Sequence, residues 1–428
     1  MSRFQLIFTA ILILAALGGA VLFAVAKSGG SQSAPNLVMW GTLPDSAVSG
    51  FLSDLSLAHR DTLNVRYIEK GSTTFESELI AALARGQGPD LVLLPQDLIV
   101  KQLDKFYPVS FDNFSERSFK DSFIEGTELY LQGGGVVGFP LSVDPIVMYW
   151  NRDIFSNAGI AAPPTTWTEL YTLAPKIITK DANGNLTQSL VAFGAMRNLS
   201  HAKDMVALLS IQAGTPIVAA NSSGYFQSVF SGSGTGLVPA EQAVNFFTEF
   251  SNPVKPAYSW NSSMPLDKNA FVSGKLALYL GYASELAGIR AANPNLNFDV
   301  APIPQAAGKK STFGQMNAVA ILRASQNVNA GFQAAVVLTS AEGESAWVQR
   351  SGLPPVRRDL LTTSPGDAYK AVFYQSALMA RAWLDPYREA SSDIFTRLIE
   401  NVTSGKLRTS EAVKQASLEI DNLFRTNI

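Results

Sequence analysis

Apolar positions fall into short runs separated by turn chemistry along most of this 428-residue chain. Asn36 to Trp40 predicts a buried strand, followed by a loop over Gly41–Asp45 and a helix through Phe51, Leu55 and Ala58. Leu63–Ile68 alternates as a second strand. Thr73 and Glu76 predict a capping box for a helix whose Phe75, Leu79, Ile80 and Leu83 share a side. Gly86 and Gly88 stop it, and Pro89-Asp90 leads into the apolar strand Leu91–Leu94. Strands alternating with helices imply a mostly parallel sheet covered on both faces. Ligands of such sheets sit beyond the carboxyl ends of the strands, which puts Asp45 and the Gln96-Asp97 pair at one edge.

Gly138 to Leu170 (GFPLSVDPIVMYWNRDIFSNAGIAAPPTTWTEL) holds the densest pattern. Phe139 to Leu141 run into Asp144, and Ile146 to Trp150 form an apolar β run. Gly159 ends a short helix at Phe155, and Thr166 with Glu169 forms a capping box for the next. Residues 165–263 read as mainly helical, with Gly- and Ser-rich turns over 222–239. Leu276–Tyr282 predicts an apolar strand and Asn297–Pro304 a strand broken by two prolines. Ser410–Phe424 predicts an amphipathic helix with Ala412, Val413, Ala416, Ile420 and Leu423 inward.

Phe4 to Ala26 is almost wholly apolar between Arg3 and Lys27. About 20 such residues suffice to cross a bilayer as a helix. The length fits an uncleaved anchor, whereas Ala24-Val-Ala26 fits a signal-peptide cleavage pattern. Either way the body is expected outside the cytoplasm. Lys27–Pro35 reads as a flexible linker. The chain has a net charge of −2 and no basic block, so nucleic acid is not an expected partner. It has no cysteine, which excludes disulfides, thiolate metal sites and a cysteine-linked lipid. Two histidines, His59 and His201, are too few for a multi-histidine metal site.

The pieces LVMWG, GQGPDLVLL, the segment from Gly138, FVSGKLALYLG, DVAPIPQ, SGLPPVRRD and the final helix occur in one order. That order resembles the family 1 extracellular solute-binding proteins of bacterial ABC importers, which include maltose- and oligosaccharide-binding proteins. The resemblance covers Leu37 to Leu423. It implies an α/β, two-lobed periplasmic-binding-protein fold of type II kind, each lobe a β-sheet flanked by helices, here with an N-terminal transmembrane helix. Crossings between lobes are expected in the Gly138 segment, near Asn297–Pro304 and at Leu353–Val356. The expected division is a membrane or signal segment at 1–27 and a linker at 28–35. Lobe 1 would comprise 36–141 with 304–355, and lobe 2 would comprise 142–303 with 356–428. The implied partners are a carbohydrate, an ABC permease and the membrane, with a monomeric chain, no cofactor and no enzymatic activity.

Sugar binding wants carboxylate acceptors for hydroxyls and a flat aromatic for the C–H face. Asp45 reads either as such an acceptor or as an ordinary helix cap. Asp97 matches a ligand carboxylate of maltose-binding relatives. Leu94 stands where those relatives carry an aromatic residue, a departure that weighs against maltodextrin specificity. Asp144 sits in the crossing loop before Pro145, where the alternative is a turn residue. Tyr282 ends the strand that delivers an aromatic to the sugar in relatives. Trp40, Trp260 and Gln315 complete the candidates, with Trp40 also readable as core. Gly133–Gly138 matches GxGxxG, but Pro140 follows where a helix should start, so it reads as a hairpin turn. Ser200–Lys203 matches SxxK without the accompanying β-lactamase signatures. The rival readings are a peptide, polyol or polyamine ligand, an anchored sensor, and an extracytoplasmic hydrolase.

Overall fold

The computed structural model describes residues 34–426 apart from 222–224, 233–237, 309 and 386. The apolar segment Phe4–Ala26 and most of the linker lie outside the described residues. Among the described residues no helix is long and apolar enough to cross a membrane.

The first strands are β1 (Leu37–Gly41), β2 (Val65–Glu69), β3 (Leu91–Pro95), β4 (Val109–Ser110), β5 (Leu131–Gln132), β6 (Gly135–Val136) and β7 (Phe139–Asn151). Then come β8 (Thr179–Lys180), β9 (Leu186–Val191), β10 (Val218–Ala220), β11 (Phe226–Ser228), β12 (Leu276–Tyr282), β13 (Phe298–Ala301), β14 (Thr312–Ile321) and β15 (Ala380–Arg381). The main sheet runs β2-β1-β3-β14-β7-β12-β9-β8, with β13 on β7 and β15 on β14.

Two strands belong to both lobes. Residues Phe139–Pro145 of β7 pair with β14, whereas Ile146–Trp150 pair with β12 and Met148–Asn151 with β13. β14 pairs with β15 at Thr312 and Phe313 and with β3 from Asn317 to Ile321. Buried apolar residues gather around these strands in two cores. One holds Leu37, Phe51, Leu93, Val143, Met316 and Trp347; the other holds Ile146, Val206, Phe271, Phe313, Phe395 and Ile420. The cores change over between Val143 and Ile146, again between Phe313 and Met316, and once more beyond Leu361.

Local sequence accounts for the flanking elements. The helix Asp45–Ala58 buries Val48, Phe51, Leu52 and Leu55 on one stripe, and Phe51 meets Trp347 edge-on at 5.5 Å. The final helix, Thr409–Thr426, buries Ala412, Val413, Ala416 and Ile420. Gly133 and Gly134, both at positive φ, close the two-residue turn between β5 and β6. This is the type I′ chemistry of a hairpin, as expected for that GxGxxG look-alike. Glu169 Oε1 accepts from the Thr166 N–H at 3.0 Å, closing the expected box.

Three expectations are corrected. The sheet is mixed, because β14 runs antiparallel to both of its neighbours, β3 and β7. The middle of the chain is not mainly helical: β9 enters the sheet beside β12, its polar Thr187, Gln188 and Ser189 having masked the strand. The box at Thr73 does not form, since Glu76 turns away to Lys101 Nζ and Gln102 Nε2, both at 2.8 Å.

Candidate functional site

β1, β2 and β3 run parallel, so their carboxyl ends open onto one edge. The loops there carry Thr42, Leu43, Ser72, Thr73, Gln96 and Asp97, which form one wall of a cleft of about 630 Å³. The opposite wall comes from the second lobe, through Asp385, Tyr387, Arg388 and Glu389. A smaller hollow of about 350 Å³, lined by Ser200, His201, Lys203, Asp204 and Ser392, lies beside it. Gln315 and Arg388 line both. The larger volume falls in the roughly 300–1,000 Å³ range of small-molecule sites.

Asp97 opens the short helical turn Gln96–Leu98 after β3. Gln96 is 2% exposed, and its Oε1 accepts from the Met316 N–H at 2.5 Å, which fixes this turn to the crossing strand. Burial pushes the Asp97 carboxyl up to about 6, although the Arg388 guanidinium beside it pulls the other way. Arg388 donates to Asp97 Oδ2 from across the cleft. Lys101 reaches the same way, its Nζ 5.3 Å from the ring centre of Tyr387.

A second cluster sits where the lobes join. Asp144 faces Gln315 in the β7–β14 register. Its Oδ1 accepts from the Ser284 N–H at 3.1 Å, and burial pushes its carboxyl up to about 6. Tyr282 ends β12 with its hydroxyl donating to Asp204 Oδ2 at 2.7 Å. The His201 ring stands edge-on to Tyr282 at 4.7 Å. Burial disfavours a charged His201, but Glu285 at 2.9 Å outweighs it, so the imidazole pKa is raised. Glu285 also accepts from the Tyr279 hydroxyl at 2.6 Å, and its own pKa is lowered despite burial. Beneath them Tyr149 donates to the Tyr282 carbonyl at 2.7 Å.

Asp97, Asp144, Tyr282 and Gln315 are therefore brought to the cleft and the lobe junction. Asp45 is not: it opens an exposed helix, where its Oδ1 accepts from Ser49 Oγ at 2.7 Å, although Thr42 and Leu43 just before it line the wall. Its charge suits a helix N-terminus. Trp40 packs on the first core with Lys70 Nζ 4.0 Å from its ring centre and lines neither hollow. Trp260 is corrected: it is 0% exposed inside the second core and has no face toward the cleft. The sequence marks His201 only as one of two histidines and Lys203 only as the end of an SxxK look-alike. It gives no role to Arg388, Asp204 or Asp385. Lys203 Nζ donates to Asp385 Oδ2 at 2.6 Å, a pair 182 residues apart that no local pattern announces. Among the described residues no cluster of three His, Asp or Glu is placed to hold a metal.

A cleft between two lobes joined by shared strands defines the class: a two-lobed periplasmic-binding-protein fold. The family follows from the sequence, because a profile of bacterial extracellular solute-binding proteins matches residues 58–373. The chain belongs to that family, whose members work outside the cytoplasm. It is similar to a binding protein of Brucella abortus, at 23% identity over 358 residues, covering 81% of this chain and 82% of the relative. It is also similar to the sn-glycerol-3-phosphate-binding periplasmic protein of Pectobacterium atrosepticum, at 22% over 362 residues, 78% of this chain and 76% of that one. Among solved structures, a cyclo/maltodextrin-binding protein complexed with maltotetraose superposes with a TM-score of 0.75 at 17% identity, over 91% of this chain and 97% of that one. The sugar-binding protein of Xanthomonas citri gives 0.74 at 17% identity, over the same shares. At such identities these likenesses show the fold.

Proposed function

We propose that this chain is the extracytoplasmic binding protein of an ABC importer, capturing a carbohydrate, an oligosaccharide, between its lobes and handing it to a membrane permease. The observation that carries the reading is the cleft itself. Its walls come from different lobes and present carboxylates, amides and the aromatic Tyr387 to one volume. Hydroxyls want such acceptors and a sugar face wants such a ring. The sugar ligands of the structural neighbours support it. A solute touching both walls favours the closed arrangement by the difference in its contacts to the two states.

In this reading Asp97, Asp144, Tyr282 and Gln315 contact the solute. Residues 1–27 hold the body at the membrane, or are removed after Ala26. The lobes divide at 141/142, 303/304 and 355/356, the first of these close to where the buried cores change over between Val143 and Ile146. No catalytic step is assigned.

Thermal unfolding of the purified chain against a panel of sugars tests the reading. A ligand at about 100 times its Kd adds roughly 2.7 kcal/mol. Asp144→Ala should abolish most of that shift. A panel in which no sugar moves the transition, while a peptide or polyamine does, overturns the carbohydrate assignment. A phosphorylated polyol is the second reading. It is favoured by the Arg388 side chain, 56% exposed in the cleft, and by the Pectobacterium relative. sn-Glycerol 3-phosphate therefore belongs on the panel.

A further inference from the structure

Arg388 stands between the two hollows and belongs to the lobe opposite its partner. Asp97 follows β3 of the first lobe, whereas Arg388 opens the helix Arg388–Thr403, whose Ile394, Phe395, Leu398 and Ile399 are buried in the second core. Its backbone is held firmly: Lys203 Nζ donates to the Arg388 carbonyl at 3.2 Å and to Asp385 Oδ2 at 2.6 Å, and Ser391 Oγ donates to Asp385 Oδ2 at 2.7 Å. Asp385 is 4% exposed. The side chain is free by contrast, 56% exposed with a single carboxylate partner. The guanidinium is half exposed while the Asp97 side chain is only 15% exposed, so a polar ligand entering the cleft meets the pair from the arginine side.

We propose that Arg388 is a gate across the cleft. Paired with Asp97, it bridges the lobes in the empty protein and walls the 630 Å³ hollow from the 350 Å³ one. Short solutes are then confined to the larger hollow against Asp97 and Tyr387. A longer solute has to turn the guanidinium aside to run on past Gln315 toward His201 and Asp204. Arg388 thereby sets which solute lengths bind. The length-selecting half of this proposal rests on the carbohydrate reading; the bridging half does not.

The two halves have separate tests. The chain has no cysteine, so Leu57→Cys and Leu418→Cys place a unique spin-label pair, one on each lobe, at residues 65% and 57% exposed. In the solute-free protein, Arg388→Met should broaden the interlobe distances and shift them longer, because it keeps the bulk but loses the charge. Unchanged distances overturn the bridge, whatever the solute is. The second test measures binding of maltose, maltotriose, maltotetraose and maltohexaose. The wild type should bind the longer sugars about tenfold more weakly than the shorter, a difference of about 1.4 kcal/mol. Arg388→Ala should erase that difference, and Arg388→Met should retain it because the wall remains. A wild-type profile flat with length, or one untouched by Arg388→Ala, overturns the gate. Binding of none of these sugars by any of the proteins overturns length selection among maltodextrins, and the label distances then decide the bridge alone.

Discussion

Gln96 accepts the Met316 backbone N–H at 2.5 Å from a side chain that is 2% exposed. Gln96 lies in the turn after β3 and Met316 in β14, and this bond seats the turn carrying Asp97. Gln96→Leu leaves the amide buried without an acceptor, which costs about 1–3 kcal/mol. The urea midpoint should fall by that free energy divided by the slope, with the slope itself unchanged. A variant as stable as the wild type would mean that the turn is held by its packing instead.

Stability should fall as pH rises from about 4 to about 6. Asp97 and Asp144 are both pushed up to about 6 from an ordinary 3.8, chiefly by burial. In that window the folded protein keeps protons that the unfolded chain releases, so the folded state is penalised as pH rises. His201, raised by Glu285, acts in the same direction, its contribution being present at low pH and lost as pH rises through its folded pKa. The double variant Asp97→Asn, Asp144→Asn should flatten the dependence measured by urea unfolding. A fall at higher pH should remain, because the raised imidazole of His201 loses its contribution above that window.

Glu344 supplies a sharper case away from the cleft. It is 0% exposed; one carboxyl oxygen accepts the Val356 N–H at 3.2 Å, while Oε1 has no partner among the described residues. Burial pushes its pKa well above the ordinary value. The unfolded chain therefore ionises Glu344 more easily than the folded one does. Glu344→Gln should raise the melting temperature at pH 8 and have little effect at pH 4, where both states are protonated. An equal gain at both pH values would assign the effect to packing.

Tyr282 and Trp260, paired as candidates by sequence, should behave oppositely. Trp260→Ala opens a hole in the second core and costs about 3–5 kcal/mol, while solute affinity measured well below the transition stays unchanged. Tyr282→Phe removes the hydroxyl that Asp204 accepts at 2.7 Å, and it should lower solute affinity with a smaller loss of stability. Calorimetric titration beside thermal unfolding separates the two.

Strand runs of unbroken apolar residues were legible in this sequence. Leu276–Tyr282 is a strand over the residues expected, and Leu91–Leu94 differs only by Pro95. These segments are buried on both faces, so their pattern carries its own signal. β9 lacked it, because its polar residues break the run. The placement of residues at the cleft and junction was legible where a strand end delivers them, as with Asp97 just past β3 and Tyr282 at the end of β12. It was illegible where helices far apart in sequence supply one wall. Arg388 lies 291 residues from Asp97, and only the fold sets one beside the other. Trp260 shows the converse failure: an aromatic on an irregular segment looks the same in sequence whether it lines a cleft or fills a core.

The pairing of β14 with β3, Leu91 opposite Ile321, also constrains how the protein is made. β3 is the third strand of the first lobe, yet its second neighbour, β14, arrives only after residues 142–303 have been synthesised. A chain threaded outward from its amino end thus exposes an apolar strand edge while that stretch is made. Truncations before Ile321 should yield aggregation-prone chains instead of an isolated lobe. A helper that shields that edge during export is a requirement this topology imposes.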